Sequence, residues 1–528
     1  MHRWRARHRD LDRTSLRRSA RVDGFTIQNW LTRNAKYRPK YLAFVFKDTR
    51  WTYEKLNQEV NRLVHAFQAA GIGKGDKVAT CLPHALELFE TYWACAKLGA
   101  VAVPLSPLLR KTGLTNLITN SDTKLLITNA DVAKHLEEVK RDIPLDDEQI
   151  WLIDSPENSY HAKKSAQSVD EPRVERVVGS DPYNIIYSSG TTGEPKGIVI
   201  SHEVRALYGS LFANTFRMTP ESVSLHSGSI IFNGAFLTLM PSMLLGATYI
   251  LEDSFKPREI VGRLKQEKIT HTILVPSQIS ACLQEPEFSH SEIPSLEYIL
   301  SVGAPLLKEY KEELNRRMPE VFYELYGLTE GFMTILDKTQ AAGKAGSVGC
   351  PPPFMDLKIC NDKGEDVARG EVGEIVGRGP ILMSGYYNRP ELTAETIRDG
   401  WLYSGDLGFV DEDGFLTLAG RKKDLIISGG VNVYPTDIEA IIAKHPKVKD
   451  VSVFGVPHCD WGEAPVAAVV LANESGACCP EEMRDWVSSR IEARYQKVDK
   501  VWFVPELPRN VAGKVLKREL RETYLARN

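Results

Sequence analysis

Between Lys77 and Pro104 the chain passes through a strand, a helix and a second strand at a spacing that leaves few folds open. Lys77–Cys81 reads as a buried strand, and Leu88, Phe89, Tyr92 and Trp93 then fall on one helical face. Gly99 stops that helix before a second strand at Val101–Pro104. Strands joined through a crossover helix run parallel, so this is a βαβ unit and the sheet is largely parallel. Strand patterns return at Thr248–Leu251, Thr272–Val275 and Tyr298–Val302, which predicts two related α/β subdomains. At 528 residues the chain is too long for one ordinary core.

From Glu371 the character changes. Gly373–Gly379 and Gly414–Leu418 are short, turn-bounded strands that suggest a small β-rich layer. A further break falls at Gly420-Arg421-Lys422-Lys423-Asp424, and a compact α+β segment follows it. Thr436 and Glu439 have the spacing of a capping box for a helix whose apolar face begins Ile438, Ile441, Ile442. The expected fold class is α/β: residues 1–22 as a basic arm, 23–420 as a large N-terminal region, and 421–528 as a small C-terminal domain.

Hydrophobic content of 43% and charged content of 26% are those of a globular protein, and the net charge of −3 gives no general reason to bind nucleic acid. The longest apolar stretch, Leu239–Leu251, is too short and interrupted to span a bilayer. The eight cysteines form no C-x-x-C pair and no zinc-type spacing with histidine, so they read as reduced thiols in a cytoplasmic protein. The arm carrying Arg3, Arg5, Arg7, Arg9, Arg13, Arg17, Arg18 and Arg21 lacks the apolar segment of a secretory signal. It reads as a disordered tail or as sequence upstream of the true start, and Asp10 and Asp12 argue against a transit peptide. Leu525–Asn528 is not a peroxisomal tripeptide signal.

The segment Tyr187-Ser188-Ser189-Gly190-Thr191-Thr192-Gly193-Glu194-Pro195-Lys196-Gly197 packs three glycines, four aliphatic hydroxyls and one lysine into eleven residues. Glycine lets the backbone approach a ligand closely, and consecutive N–H groups with hydroxyls can surround an anion. Gly190 and Lys196 are wrongly spaced for the common P-loop. Five further segments follow in order: Gly303-Ala304-Pro305, Tyr326-Gly327-Leu328-Thr329-Glu330, Tyr403-Ser404-Gly405-Asp406, Gly420–Asp424 running on to Gly429-Gly430-Val431-Asn432, and Pro508–Lys514. Together these six resemble the ordered motifs of the adenylate-forming superfamily, in its acyl-CoA ligase branch, over roughly residues 25–522.

The resemblance implies activation of a carboxylic acid by ATP to an acyl-adenylate, with release of pyrophosphate, and transfer to coenzyme A. Such a reaction needs neutralised phosphates and two mutually repelling anions held together. Ser188, Ser189, Gly190, Thr191, Thr192, Gly193 and Lys196 would hold the β- and γ-phosphates. Thr329 would meet the α-phosphate, and Glu330 would order Mg²⁺, a hard cation that prefers oxygen ligands. Tyr326 would offer a flat face to adenine beside the small-residue slot Gly303-Ala304-Pro305, with Glu324 and Gly327 in the same nucleotide set. Asp406 would accept ribose hydroxyls. Arg421 and Asn432 correspond to positions that touch ribose or phosphate. Lys514 would bridge the substrate carboxylate and the α-phosphate. Lys423 matches the hinge of a mobile small domain, and Gly429 and Gly430 would line a pantetheine tunnel.

The acyl pocket departs from the family pattern. Where many relatives carry a histidine, about fourteen residues before Gly246, this chain has Phe232, while His226 lies six residues too early. The pocket segments, with Phe232, Asn233, Gly234, Ser277 and Val302, are mostly apolar and contain no lysine or arginine. An apolar monocarboxylic acid, aliphatic or aromatic, is the expected substrate. The alternative is a stand-alone adenylating enzyme that loads a separate acyl carrier protein. A luciferase-like oxygenase and an inactive adenylate-binding module fit less well, since no oxygen-handling site is marked and Lys514, Glu330 and the glycine loop are all present. Lys514→Ala is expected to abolish ATP–pyrophosphate exchange while sparing thioester formation from supplied acyl-adenylate. Equal loss of both half-reactions would refute that role.

Overall fold

A computed structural model describes residues 25–527 apart from 110, 138–139, 157, 189–195, 473–478, 492–495 and 510–514. The basic arm lies outside the described residues. Two large sheets dominate. In the first, the eight strands run in the order Met333–Leu336, Phe322–Gly327, Tyr298–Val302, His271–Leu274, Val223–His226, Thr248–Leu251, Leu42–Phe46 and Thr49–Thr52. Its interior pairs are parallel and only the two edge strands are antiparallel. The second has seven strands, with Lys77–Cys81 between Val101–Leu105 and Thr123–Thr128, all three parallel.

The βαβ expectation holds. The helix is Leu86–Leu98, and Gly99 caps it in the left-handed region at φ 80°. The helix is buried on every side from Leu88 to Leu98, where sequence periodicity marked a single face. The reason is that it lies in the common core of both large sheets. Phe89 stacks on Phe44 of the first sheet at 3.9 Å between ring centres, while the Tyr183 hydroxyl of the second sheet donates to the Tyr92 carbonyl. Apolar residues of both sheets and this helix form one cluster.

A third, antiparallel sheet comprises Asp356–Cys360, Gly373–Arg378, Trp401–Val410, Ile397–Arg398 and Leu416–Arg421. The fourth comprises Ile426–Ser428, Val431–Val433, Val448–His458, Gly462–Leu471 and Lys500–Phe503, with its own apolar core around Ile438, Val453, Ala467 and Val469. Between them, Lys422–Asp424 makes one short 3₁₀ turn. The capping box at Thr436 and Glu439 does not form. The helix Pro435–Ile442 starts two residues early, with proline at its first turn, which places Thr436 inside it. Thr436 Oγ1 donates instead to the Ala419 carbonyl at 2.6 Å, and Glu439 accepts from Val453 N–H and Lys517.

The described cysteines are free thiols, and among the described residues no helix is long and apolar enough to cross a membrane. His271, on the first sheet, is buried, with Nε2 at 2.9 Å from the Phe216 carbonyl. A carbonyl only accepts, so Nε2 carries the proton and a second proton would have to enter at Nδ1. Burial pushes this histidine down to about 4. Its folded value lies below the unfolded value of about 6.5. Its contribution to stability is therefore complete above pH 6.5 and is lost as the pH falls toward 4. In urea unfolding at pH 7.5, 6 and 5, the wild type should lose about 1.4 kcal/mol more per pH unit within that window than His271→Asn. Parallel curves would refute a buried neutral His271.

Candidate active site

Four parallel strands of the first sheet end at one edge, and the segment after each carries residues singled out by the sequence. Val223–His226 leads to Phe232, Asn233 and Gly234, and His271–Leu274 leads to Ser277. Tyr298–Val302 leads to Gly303-Ala304-Pro305, and Phe322–Gly327 leads to Thr329 and Glu330. The crevice beyond the carboxyl ends of parallel strands is where open α/β sheets bind ligands. Gly303, Ala304 and Pro305 are exposed there, and Tyr326, Thr329 and Glu330 are half-buried.

Thr329 and Glu330 form the tip of an antiparallel hairpin in which Gly327 faces Met333. The tip is closed by Leu328 N–H on the Phe332 carbonyl at 2.9 Å and Gly331 N–H on the Leu328 carbonyl at 3.0 Å. Gly331 has φ 111°, and a Cβ there would lie 2.0 Å from the Ile381 carbonyl oxygen. Only glycine allows the tip to seat against that segment, where Met383 N–H donates to the Glu330 carbonyl.

The glycine loop joins Pro182–Ser188 to Lys196–Ser201, antiparallel strands of the second sheet in which Ser188 faces Lys196. Ser189, Gly190, Thr191, Thr192 and Gly193 lie outside the described residues, as does Lys514. The loop's exit strand pairs with a two-residue strand, Gly385–Tyr386. The Tyr386 hydroxyl donates to Glu330 Oε1 at 2.8 Å, and Lys196 Nζ stands 5.3 Å from the centre of the same ring. Tyr386 thereby links the strand Lys196–Ser201 of one sheet to the hairpin tip of the other. Sequence reading missed it, because nothing local marks the partner of a tyrosine 56 residues away.

Beside this lies a clamp on Asp406. Asp406 and Arg421 are register partners on neighbouring strands of the third sheet, with Arg421 Nε 3.1 Å from Oδ1. The Tyr326 hydroxyl donates to Oδ2 at 2.9 Å. Burial and the adjacent carboxylate push that hydroxyl well above its ordinary value, so it remains a donor. A carboxylate has lone pairs beyond these two contacts for further donors. Lys423 reaches the same field. Burial holds its ammonium below its ordinary range; Asp424 and Asp406 oppose this, while Arg421 and Lys196 reinforce it.

Other candidates are held apart. Glu324 is buried in an ion pair with Lys311, and burial raises its carboxyl, so no exposed edge faces the crevice. Asn432 is exposed on the fourth sheet, where its partner is Tyr434. Gly429 and Gly430 are the two-residue turn between Ile426–Ser428 and Val431–Val433, at φ 59° and 78°. Positive φ at both positions is what a tight type I′ hairpin turn requires.

At the segment expected to hold the acid, Phe232, Asn233 and Gly234 are half-buried, and a Cβ on Gly234 would meet Val302 at 3.8 Å. Ser277 is exposed. His226 is buried at its strand's end, and burial pushes it down to about 3, so it is neutral and withdrawn from the crevice. The pocket segments carry no lysine or arginine, as read from the sequence, but a cation from another element stands behind that wall. The helix His202–Thr215 brings Arg205 behind it, with Nη1 donating to Asn233 Oδ1 at 2.8 Å. The pocket segments themselves hold no cation, which is why sequence reading missed one supplied by another element.

Residues 31–387 match the family model "AMP-binding enzyme", and residues 437–514 match "AMP-binding enzyme C-terminal domain". The chain belongs to the AMP-binding enzymes. Long-chain-fatty-acid–CoA ligase FadD13 of Mycobacterium tuberculosis is 34% identical over 94% of this chain and 98% of its own. Feruloyl-CoA synthase of an Amycolatopsis species is 33% identical over 94% and 99%. The crystal structure of ATP-bound MatB from Rhodopseudomonas palustris superposes with a TM-score of 0.86 at 29% identity, covering 94% of this chain and 99% of that one. This AMP-binding enzyme is thus an adenylate-forming protein of the acyl-CoA synthetase branch, an AMP-forming acid–thiol ligase. Its mixed α/β fold with a small C-terminal domain is that of its structural neighbours.

Tyr386→Phe keeps the ring beside Lys196 and removes only the donor to Glu330. ATP–pyrophosphate exchange should fall about 10- to 100-fold, the size of loss that removing an orienting hydrogen bond from a site carboxylate brings, with the thermal midpoint retained. Wild-type exchange would show that the hydroxyl does not position Glu330.

Proposed function

We propose that the strand-end crevice activates a carboxylic acid of largely apolar body with ATP and transfers the acyl group to the thiol of coenzyme A, giving acyl-CoA, AMP and pyrophosphate. The observation that carries this reading is the convergence of the Glu330 tip, Lys196 and the Asp406 clamp through Tyr386 and Tyr326. ATP would lie with its adenine along Tyr326 and Gly303-Ala304-Pro305 and its ribose against Asp406. Lys196 would meet the outer phosphates together with the loop Ser188–Gly193, and Thr329 the α-phosphate. The acid would lie between Phe232–Gly234, Ser277 and Val302, its carboxylate directed at the α-phosphate.

Glu330 suits a divalent cation. Its oxygens are hard donors, and one of them is already oriented by Tyr386. Mg²⁺ held there would neutralise charge on the phosphates. The chain's own part is placement: backbone and side-chain donors aimed at the phosphates lower the repulsion that the incoming carboxylate meets. Lys514 completes the reading from its motif. The 3₁₀ turn at Lys422–Asp424 supports a hinge between residues 420 and 424, with Lys423 as its pivot and domains of 23–420 and 421–528. Rotation there would exchange Lys514 for the Gly429-Gly430 turn beside the acyl-adenylate, the arrangement that thioester formation requires.

Pyrophosphate release with ATP and Mg²⁺ across acids from acetate through long fatty acids to benzoates and cinnamates, each with and without CoA, tests the reading. CoA-stimulated release with acyl-CoA in the mass spectrum is the expected outcome. Release that CoA does not stimulate would transfer the acceptor role to a carrier protein, and silence across the panel would refute acid activation.

A further inference from the structure

Behind the acid wall lies a polar cluster with more donors than acceptors. Arg205 is fully buried, and no carboxylate pairs with it among the described residues. Its Nε donates to Asn184 Oδ1 at 3.2 Å and its Nη1 to Asn233 Oδ1 at 2.8 Å. Asn233 Nδ2 in turn donates to the Tyr208 hydroxyl at 3.1 Å. Two donor atoms remain without an acceptor among the described residues, Arg205 Nη2 and Asn184 Nδ2, and both are buried. The guanidinium lies 3.9 Å from the centre of the Phe236 ring, which softens but does not replace a missing acceptor.

A buried cation with unmet donors is costly, and the cost is relieved when an oxygen acceptor arrives. Four members of this cluster and its packing, Asn184, Arg205, Tyr208 and Phe236, are fully buried. Asn233 is half-buried and shares the wall with Phe232 and Gly234, so it is the member that the crevice reaches. Arg205 fixes the Asn233 carbonyl inward, which commits the amide nitrogen to the donor role. A guanidinium on the carbonyl also polarises that N–H and strengthens it as a donor.

We propose that the Asn184–Arg205–Asn233–Tyr208 cluster is the distal recognition site of the acid pocket. It selects acids that carry an oxygen acceptor (hydroxyl, carbonyl or second carboxylate) besides the carboxyl group that reacts. This rests on the acid-activation reading above and narrows its substrate class. Asn233 is the specificity-determining contact, and Arg205 is a positioning residue that acts through it. An apolar acid of the same length offers the Asn233 N–H no acceptor and is disfavoured for that reason.

The test compares kcat and KM for matched acids: saturated acids of four to ten carbons against their terminal hydroxy and terminal carboxy counterparts, and cinnamate against its 4-hydroxy counterpart. The wild type should favour at least one acceptor-bearing acid over its plain partner by 10-fold or more in kcat/KM. The hydroxy and carboxy arms tell which acceptor is read. Asn233→Leu and Arg205→Met should bring that ratio to near 1 by raising KM for the acceptor-bearing acid more than for its plain partner. Arg205→Lys, which keeps a donor and the charge, should retain part of the preference. Asn233→Leu carries the test alone if Arg205→Met does not fold. Turnover without preference in the wild type, or a preference that neither variant moves, would overturn the inference and leave the donors to buried water only. Absence of pyrophosphate release from every acid would instead overturn the acid-activation reading.

Discussion

The burial of one helix between two parallel sheets is the constraint from which the rest of this molecule follows. Leu88–Leu98 is buried on every side, mostly by apolar side chains, while Glu90 and Lys97 are buried against Lys164 and Glu171. Both large sheets pack on it within one core, through Phe44 and Tyr249 on one side and Tyr183 on the other. Once the sheets share that core, their relative placement is set by close packing, which tolerates little slack. The strand ends of the first sheet and the strands Pro182–Ser188 and Lys196–Ser201 of the second then have set positions with respect to each other.

Across that fixed gap runs a small set of polar contacts. Tyr386 sits on the strand that extends the second sheet, yet its hydroxyl holds Glu330 of the first. Tyr326 does the same between the first sheet and Asp406 of the third. In both cases an aromatic ring spans the distance and a single hydroxyl fixes a carboxylate, a low-entropy way of presenting an anion, since tyrosine has few rotatable bonds. Arg421 and Lys423 bring the turn between the third and fourth sheets into the same field as Asp406.

Much of the scaffold was legible in the residues. Thr248–Leu251 and Tyr298–Val302 are strands with the bounds that their apolar runs suggest, and Gly99 ends its helix as a left-handed cap. Gly303-Ala304-Pro305 follows a strand end, where Gly303 takes φ 94° and Pro305 has no N–H for the ladder, and Thr329-Glu330 is the turn of a hairpin. The capping box was misread because Thr436 and Glu439 have the right spacing, whereas Pro435 moves the helix start and turns both side chains to tertiary partners. Glu324 reads as part of a nucleotide motif, but Lys311, thirteen positions earlier on a covering helix, takes its carboxylate.

The sequence by itself determined the parallel α/β class, the order of the glycine-rich and carboxylate motifs, and the change of character after residue 371, since each depends on local periodicity, turn chemistry or short-range spacing. Only the tertiary structure decided which polar groups meet. Tyr386 reaches Glu330, and Arg205 reaches Asn233 and Asn184, across separations in the chain that no local pattern encodes. The physical reason is that a buried donor finds its acceptor through packing of whole elements. Its identity as a wall or a ligand contact therefore exists only once the sheets have closed on their shared helix.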